Sequence, residues 1–253
     1  MSAQKGFFMS IIYEPKGKAL EYSPLAANLY KGCGHGCKYC FAPKATFTDR
    51  EIFSSDEYIT PRPNVLELLK KDAVKIAGDR RPILLSFTSD AYQQANEKYK
   101  ITRMSLYTLF RNNLKVCILT KGGLRACNDF DILEKNKGNT FAVTLTTDDP
   151  AESLDWEPRA ALPIDRIESL KIAHKRKIKT WVSFEPVINP DAVLRLISET
   201  YTFVDLYKVG KLNYHPFEKT INWKKFLYNV EAVLDKYHCK RYIKKDLEAY
   251  RNK

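Results

Sequence analysis

Three cysteines lie close together in the chain, and their spacing indicates metal chemistry. The segment LYKGCGHGCKYCFAPK carries Cys33, Cys37 and Cys40 as C-x3-C-x2-C. Thiolates are soft ligands that suit zinc or an iron–sulfur cluster. Zinc would need a fourth ligand, for which His35 is available. A cubane cluster has four irons, so three thiolates would leave one iron open to another chelator.

Glycines separate the cysteines in this loop. We expect Gly32, Gly34 and Gly36 to allow backbone conformations that a Cβ atom would forbid, with N–H groups turned toward the sulfides of a cluster. Four zinc ligands between Cys33 and Cys40 would strain so short a loop, and free thiols would be open to oxidation. The loop therefore favours a cluster over zinc or unliganded thiols.

The cysteine segment also resembles the signature of radical S-adenosylmethionine (SAM) enzymes, because aromatic residues stand on both sides of the last cysteine. The resemblance runs from about Asn28 to Lys211 and extends to the spore photoproduct lyase-like (DNA repair photolyase-like) branch. The similar segments are FTSDAYQQANEKYKITR, ILTKGG, VTLTTDDPAESLDWEPRAALPIDRIESLKIAH and VSFEPVI. It implies a [4Fe–4S] cluster whose open iron binds SAM. Reductive SAM cleavage would then give a 5′-deoxyadenosyl radical that abstracts hydrogen from substrate, with electrons from a flavodoxin- or ferredoxin-type donor.

Short apolar runs alternate with longer runs of helical period, which is typical of βα units and a parallel sheet. The predicted strands cover residues 26–30, 83–88, 116–120, 141–146, 180–184 and 203–209. The predicted helices cover residues 64–78, 101–113, 130–136, 164–177 and 191–199. Together with the resemblance, this pattern predicts an α/β fold, a partial (β/α)6 TIM-type barrel. We expect one domain over 1–253, with a core at about 20–211 and a C-terminal helix at about 222–250.

Active groups of such barrels gather where the strands end. By resemblance, cofactor-binding roles fall to Tyr39, Ser89, Asp90, Lys121, Thr144, Arg159 and Glu185. Ser89 and Asp90 follow the second strand, where the family binds the SAM amino group. Lys121 follows the third strand and could neutralise the SAM carboxylate. Each position also has an ordinary structural explanation, such as a capped turn or a solvated charge.

Three of these assignments have specific alternatives. Thr144 and Thr146 point to the same side of the fourth strand, and the resemblance selects Thr144. Arg159 suits a carboxylate of the cofactor, or a surface pair with Glu157. Glu185 could accept a hydrogen bond from ribose or substrate, or order a turn.

Hydrogen return is the second catalytic task that the resemblance implies. Spore photoproduct lyases use an additional Cys with Tyr assistance, which makes Cys127 and Tyr92 the catalytic candidates here. A core or stacking role is the alternative for Tyr92. Cys117 lies within a predicted strand, where a buried thiol is expected.

The formal charge of +12 attracts polyanions. A nucleic acid or nucleotide is thus the expected substrate, although dispersed lysines also simply keep a surface solvated. A peptide or small metabolite is the alternative, and a non-catalytic binding protein stabilised by zinc or a cluster is a third. A protein partner could complete a half-open barrel. Six Cys, no secretory leader and no long apolar run indicate a reducing cytoplasm and no membrane.

Overall fold

The computed structural model describes residues 10–252. Residues 1–9 of the predicted domain, and Lys253, lie outside the described residues. The strands are β1 (Ile12–Tyr13), β2 (Leu25–Ala27), β3 (Tyr30–Lys31), β4 (Thr60–Pro61), β5 (Ile83–Leu85), β6 (Val116–Thr120), β7 (Thr140–Thr144), β8 (Lys179–Phe184), β9 (Leu206–Val209) and β10 (Arg241–Ile243).

Helices follow most of the strands and cover the sheet. They are α1 (Ala42–Ala45), α2 (Arg50–Phe53), α3 (Val65–Lys75), α4 (Ala95–Tyr99), α5 (Ile101–Arg111), α6 (Phe130–Leu133), α7 (Pro150–Trp156), α8 (Pro163–Lys175), α9 (Pro190–Thr200), α10 (Trp223–Lys236) and α11 (Lys245–Glu248). Short 3-10 turns cover Gly17–Glu21, Gly123–Asp129 and Pro216–Thr220.

Eight strands form one sheet in the order β1-β2-β5-β6-β7-β8-β9-β10. Only the β1–β2 pair is antiparallel among the described strands of this sheet. Within residues 10–252, the edge strands β1 and β10 do not pair, so the sheet remains an open, partial barrel. This architecture confirms the predicted α/β fold.

The central strands are apolar on both faces, as is usual for parallel strands covered by helices. Ile83, Leu84 and Leu85 of β5, for example, are all fully buried. Leu84 joins Cys117 and Trp181 in an inner layer, while Ile83 and Leu85 belong to the larger core formed with the helices. The buried Cys117 thiol agrees with the expectation for that strand.

Several predicted elements are shorter in the structure, and for two of them the chain continues differently. The predicted strand 26–30 is divided, because β2 ends at Ala27 and the chain then forms β3, which pairs with β4 in a separate two-stranded sheet. The predicted C-terminal helix ends at Lys236, since His238 adopts a φ of 52° and the chain turns into β10 beside β9. The basic end of the chain therefore forms an edge strand of the sheet and then the short helix α11, rather than one continuous helix.

No helix within residues 10–252 is both long and apolar enough to cross a membrane. The strand ends that matter for the site are those of β5, β6, β7 and β8. They open on the same side as the loop that carries the cysteines, as the next section describes.

Candidate active site

A cavity of about 440 Å³ lies at the C-terminal ends of the parallel strands. The predicted site residues that line it are Tyr39, Ser89, Asp90, Lys121, Thr144 and Glu185, together with the three cysteines. The residues Tyr92, Cys127 and Arg159 do not line this cavity. Most of the side chains that were selected by position after a strand thus meet around one space.

The cysteine loop lies on the wall of this cavity. Burial raises the pKa of all three thiols, that of Cys37 to about 12. Hydrogen bonds from the backbone partly offset this effect: the His35 N–H lowers the pKa of Cys33, and the Ala42 N–H lowers that of Cys40. N–H groups near two of the sulfurs fit ligands that become thiolates on binding a cluster. This donor set matches a [4Fe–4S] cluster held by three cysteines.

The loop glycines differ in what they contribute. Gly32 and Gly36 have a φ of 65°, a conformation that favours glycine, so the expectation holds for these two. Gly34 has no positive φ, and a Cβ atom there would meet its nearest neighbour at 3.4 Å. The expectation of a special conformation at Gly34 is therefore wrong.

His35, the fourth ligand that zinc would require, is buried beside Asp90. Its Nδ1 lies 3.5 Å from Asp90 Oδ2, and burial lowers the pKa of the ring to about 4. Among the described residues, no three or more His, Cys, Asp or Glu side chains converge on one point, as the ligands of a single zinc ion would.

The segment after β5 presents polar atoms that lack partners. The hydroxyls of Ser86, Thr88 and Ser89 line the cavity, are shielded from water and have no hydrogen bond within residues 10–252. Buried hydroxyls are normally satisfied, so three orphans on one segment indicate a polar ligand. The amino, carboxylate and hydroxyl groups of SAM would supply suitable partners, and the cavity therefore fits this cofactor.

Asp90 holds the loop ends together. Its Oδ1 accepts hydrogen bonds from the Tyr92 N–H (2.8 Å) and the Thr120 hydroxyl (2.5 Å), and its Oδ2 accepts one from the Lys121 N–H (2.7 Å). Burial alone would raise the pKa of Asp90, but the His35 ring and these hydrogen bonds keep it below its ordinary value. The carboxylate thus joins the end of β5 to the end of β6.

Lys121 extends from this junction into the cavity. Its Nζ lies 5.5 Å from the centre of the Tyr39 ring. Burial would lower the pKa of this ammonium group, but the neighbouring Cys37 and Glu157 raise it. A cation with no carboxylate in direct contact within the described residues is suited to an anionic group of a ligand.

A buried ion pair supports the cysteine loop from behind. Arg166 of α8 and Glu157 are both almost completely buried, with Nη2 and Oε2 2.5 Å apart. The Tyr39 hydroxyl donates to the other oxygen of Glu157. Arg166 Nη1 also donates to the Thr144 carbonyl oxygen at 2.9 Å. The pair therefore joins the cysteine loop to the end of β7.

Arg159 is not in the cavity. Its guanidinium donates to the Ser54 carbonyl and to Asp56 at 3.3 Å, so its predicted contact with a cofactor is not supported. The alternative pairing with Glu157 is also wrong, because Arg166 occupies that carboxylate. The backbone explains this placement: the Arg159 N–H donates to the His35 carbonyl, and the side chain is thereby directed toward the segment after α2.

The two candidates for hydrogen return are also outside the cavity. Tyr92 is 1% exposed and donates its hydroxyl hydrogen to Asp129 at 3.1 Å. Cys127 lies in the 3-10 turn after β6 and packs at the border of the main core, where burial raises its pKa to about 11. Gly122 is packed against Tyr92, and no residue from Gly122 to Asp129 lines the cavity. We therefore assign neither residue a contact with substrate.

Glu185 lines the cavity and is held by residues that the sequence pattern did not indicate. Its Oε2 accepts from the Tyr22 hydroxyl and from Lys244 Nζ, the latter at 2.5 Å. Gly210 makes room for it, since a Cβ atom there would lie 2.8 Å from Glu185 Cδ. Tyr22 precedes β2 and Lys244 follows β10, so only the fold brings them together.

Other cavity residues that the strand-end rule missed form its rim: Lys16, Lys18, Phe41, Lys211, Asn213 and Tyr214. Lys211 follows the strand that ends at Val209, so the strand-end rule could have identified it as a site residue. Lys16 and Lys18 come from the N-terminal segment, which carries no predicted strand. Nothing in their local sequence distinguishes them from other surface lysines.

Comparison with protein families gives a match over most of this fold. The family model of the Radical SAM superfamily matches residues 27–204. An uncharacterized protein of Methanocaldococcus jannaschii is 26% identical over 230 residues, which are 89% of this chain and 85% of that protein.

Two solved structures share the fold at low sequence identity. Spore photoproduct lyase complexed with dinucleoside spore photoproduct has a TM-score of 0.68 and 12% identity, over 95% of this chain and 80% of that chain. Streptococcus suis SuiB bound to S-adenosylmethionine has a TM-score of 0.64 and 15% identity, over 89% of this chain and 52% of that chain.

Proposed function

Because the chain belongs to the radical SAM superfamily, we propose that it is an enzyme that abstracts hydrogen from a nucleic acid or nucleotide. The cofactors of the family are a [4Fe–4S] cluster and SAM, and the cavity fits both. When bound, they supply the 5′-deoxyadenosyl radical that begins the reaction.

The residues around the cavity divide into two cofactor sites in this proposal. Cys33, Cys37 and Cys40 hold the cluster. The hydroxyls of Ser86, Thr88 and Ser89 bind polar groups of SAM, Lys121 binds its carboxylate, and Thr144 contacts it from the end of β7. Asp90 and Tyr39 position these groups through the hydrogen bonds described above.

The rim of the cavity carries the argument for the substrate. Phe41 and Tyr214 are 50% and 77% exposed, and both line the opening. Four lysines line the cavity: Lys16, Lys18, Lys211 and the buried Lys244. Exposed aromatic rings stack on bases, and ammonium groups attract phosphates. The lyase structure with a dinucleoside bound has the same fold, which supports the choice of substrate class.

A small metabolite or a peptide is the second candidate, and one observation favours it. Lys18, Lys211 and Lys244 are each paired with a carboxylate, of Asp246, Glu218 and Glu185 respectively. These pairs reduce the charge that the rim offers to phosphates. Lys16 has no ion pair within residues 10–252 and remains the clearest phosphate contact.

The test begins with anaerobic reconstitution, followed by dithionite reduction with SAM and measurement of 5′-deoxyadenosine. Cys37→Ala should abolish cluster binding and SAM cleavage, because three thiolates are needed to hold a cluster with one open iron. The control is Cys239→Ala, which removes a cysteine that does not line the cavity. Retention of full SAM cleavage by Cys37→Ala would contradict the proposed cluster site.

The substrate class is tested with single-stranded oligonucleotides. We expect them to bind with an affinity that falls as salt rises, and to increase SAM cleavage. Lys16→Gln should weaken binding and reduce the salt dependence, whereas Lys70→Gln on the outer helix α3 should change neither. If no oligonucleotide binds at low ionic strength but a small metabolite stimulates cleavage, the second candidate is correct.

A further inference from the structure

The short helix α2 contacts the backbone of every cysteine in the cluster loop. The Cys33 N–H donates to the Phe53 carbonyl oxygen at 3.2 Å. From the same helix, Arg50 Nη1 donates to the Cys37 carbonyl oxygen and Nη2 to the Cys40 carbonyl oxygen, each at 2.9 Å. No polar side chain of α2 other than Arg50 makes these contacts within the described residues.

Arg50 is placed for this contact by the start of its helix. Asp49 caps α2, and its Oδ1 accepts from the N–H groups of Glu51 (2.8 Å) and Ile52 (3.2 Å). The cap fixes the first turn, and Phe53 is buried at the other end of the helix. Arg50 therefore projects from a short helix that is anchored at both ends.

The guanidinium group is suited to two acceptors at once. It is planar and always charged, and its nitrogens can donate in parallel to two oxygens. A lysine ammonium in the same place carries the charge but cannot reproduce this paired geometry. Arg50 also acts electrostatically on the Cys40 sulfur, so its charge reaches the ligand as well as the backbone.

We propose that Arg50 is a positioning residue of the cluster site, which fixes the backbone of Cys37 and Cys40 and raises the reduction potential of the bound cluster. The inference rests on the proposed function, because it requires that the three cysteines hold a cluster. A fixed positive charge beside the ligands stabilises the more negative, reduced cluster. Both effects come from one side chain that does not line the cavity.

The test compares the reconstituted wild-type protein with Arg50→Gln and Arg50→Lys in two measurements without substrate. Redox titration followed by EPR gives the midpoint potential, and chelator-induced bleaching gives the rate of iron loss. We expect Arg50→Gln to shift the midpoint to a more negative potential and to lose iron roughly tenfold faster, the scale of effects around metal ligands. Arg50→Lys should keep the potential near wild type and still lose iron faster.

Arg81→Gln is the matched control. Like Arg50, Arg81 is an exposed arginine, but it pairs with the carboxylates of Glu14 and Asp79 and precedes β5, at the opposite end of the strands from the cysteines. The midpoint potential and the iron retention of the Arg81→Gln variant should equal those of the wild type.

Two outcomes would overturn the inference. If the potential is unchanged in Arg50→Gln, the electrostatic role is wrong. If iron loss is unchanged in both Arg50 variants, the positioning role is wrong. A wild-type protein that binds no iron–sulfur cluster would overturn the proposed function together with this inference.

Discussion

At the residue scale, the loop glycines show that one sequence motif contains positions under different constraints. A Cβ atom at Gly32 would lie 2.6 Å from the Phe53 carbonyl oxygen, which is backbone and cannot move aside without α2. That same oxygen accepts the Cys33 N–H. The glycine therefore allows the contact between the first cluster ligand and its supporting helix.

We expect Gly32→Ala to impair cluster binding and Gly34→Ala to preserve it. The first variant has an unfavourable positive φ, which costs about 1–2 kcal/mol, in addition to the backbone clash. The second meets only side-chain atoms at ordinary contact distance. Iron and sulfide content after anaerobic reconstitution measures the difference. Equal cluster content in the two variants would contradict this account of the loop.

At the element scale, the buried pair of Glu157 and Arg166 joins four parts of the chain. Arg166 belongs to α8, Glu157 follows α7, and the contacts to the Thr144 carbonyl and the Tyr39 hydroxyl extend to β7 and the cysteine loop. Burial would raise the pKa of Glu157, but Arg166, Lys121 and the Tyr39 hydroxyl lower it. The carboxylate is thus held in its charged form.

Glu157→Gln should destabilise the fold by about 3–5 kcal/mol, because it leaves the Arg166 guanidinium buried without its opposite charge. Urea unfolding of the protein without cofactors measures this change. The control is Glu134→Gln, whose partner Arg176 is partly exposed, with an expected loss below about 1 kcal/mol. Similar losses in the two variants would show that burial does not make the Glu157–Arg166 pair more important for stability than an exposed pair.

At the scale of the whole molecule, the core is built without the cofactors. The main cluster of buried side chains runs through the strands and the helices that cover them, and the three cysteines are not part of it. The cluster loop instead lies on the surface of this core, where backbone hydrogen bonds join it to α2 and to the end of α7. The fold and the cluster site thus have separate sources of stability.

Removal of the cluster by chelator should therefore leave the protein folded. The far-UV circular dichroism spectrum should stay the same, while Tm should fall, because a ligand bound only to the folded state stabilises it. For about 3 kcal/mol of such stabilisation, the expected decrease is roughly 6–12 °C. Complete loss of the spectrum on chelation would mean that the fold depends on the metal.

The strand and helix pattern was determined by local sequence. Alternating apolar and helical runs predicted the parallel sheet, since both patterns depend on residues close in the chain. The same holds for Cys33, Cys37 and Cys40, whose spacing alone indicates the kind of metal site. The positions after the strands also placed Ser89, Asp90, Lys121, Thr144 and Glu185 at the cavity, because parallel strands end on the same side.

Tertiary structure alone decided how these residues are used. Tyr22 and Lys244 meet at Glu185 although more than two hundred residues separate them in the chain, because β10 returns to the edge of the sheet. Arg166 rather than Arg159 pairs with Glu157, since the Arg159 guanidinium instead contacts the Ser54 carbonyl and Asp56. The sequence by itself determined which elements form, and its cysteine spacing predicts a metal site, since both depend on neighbouring residues. Partners from distant segments depend on how the elements pack, and that is visible only in the folded chain.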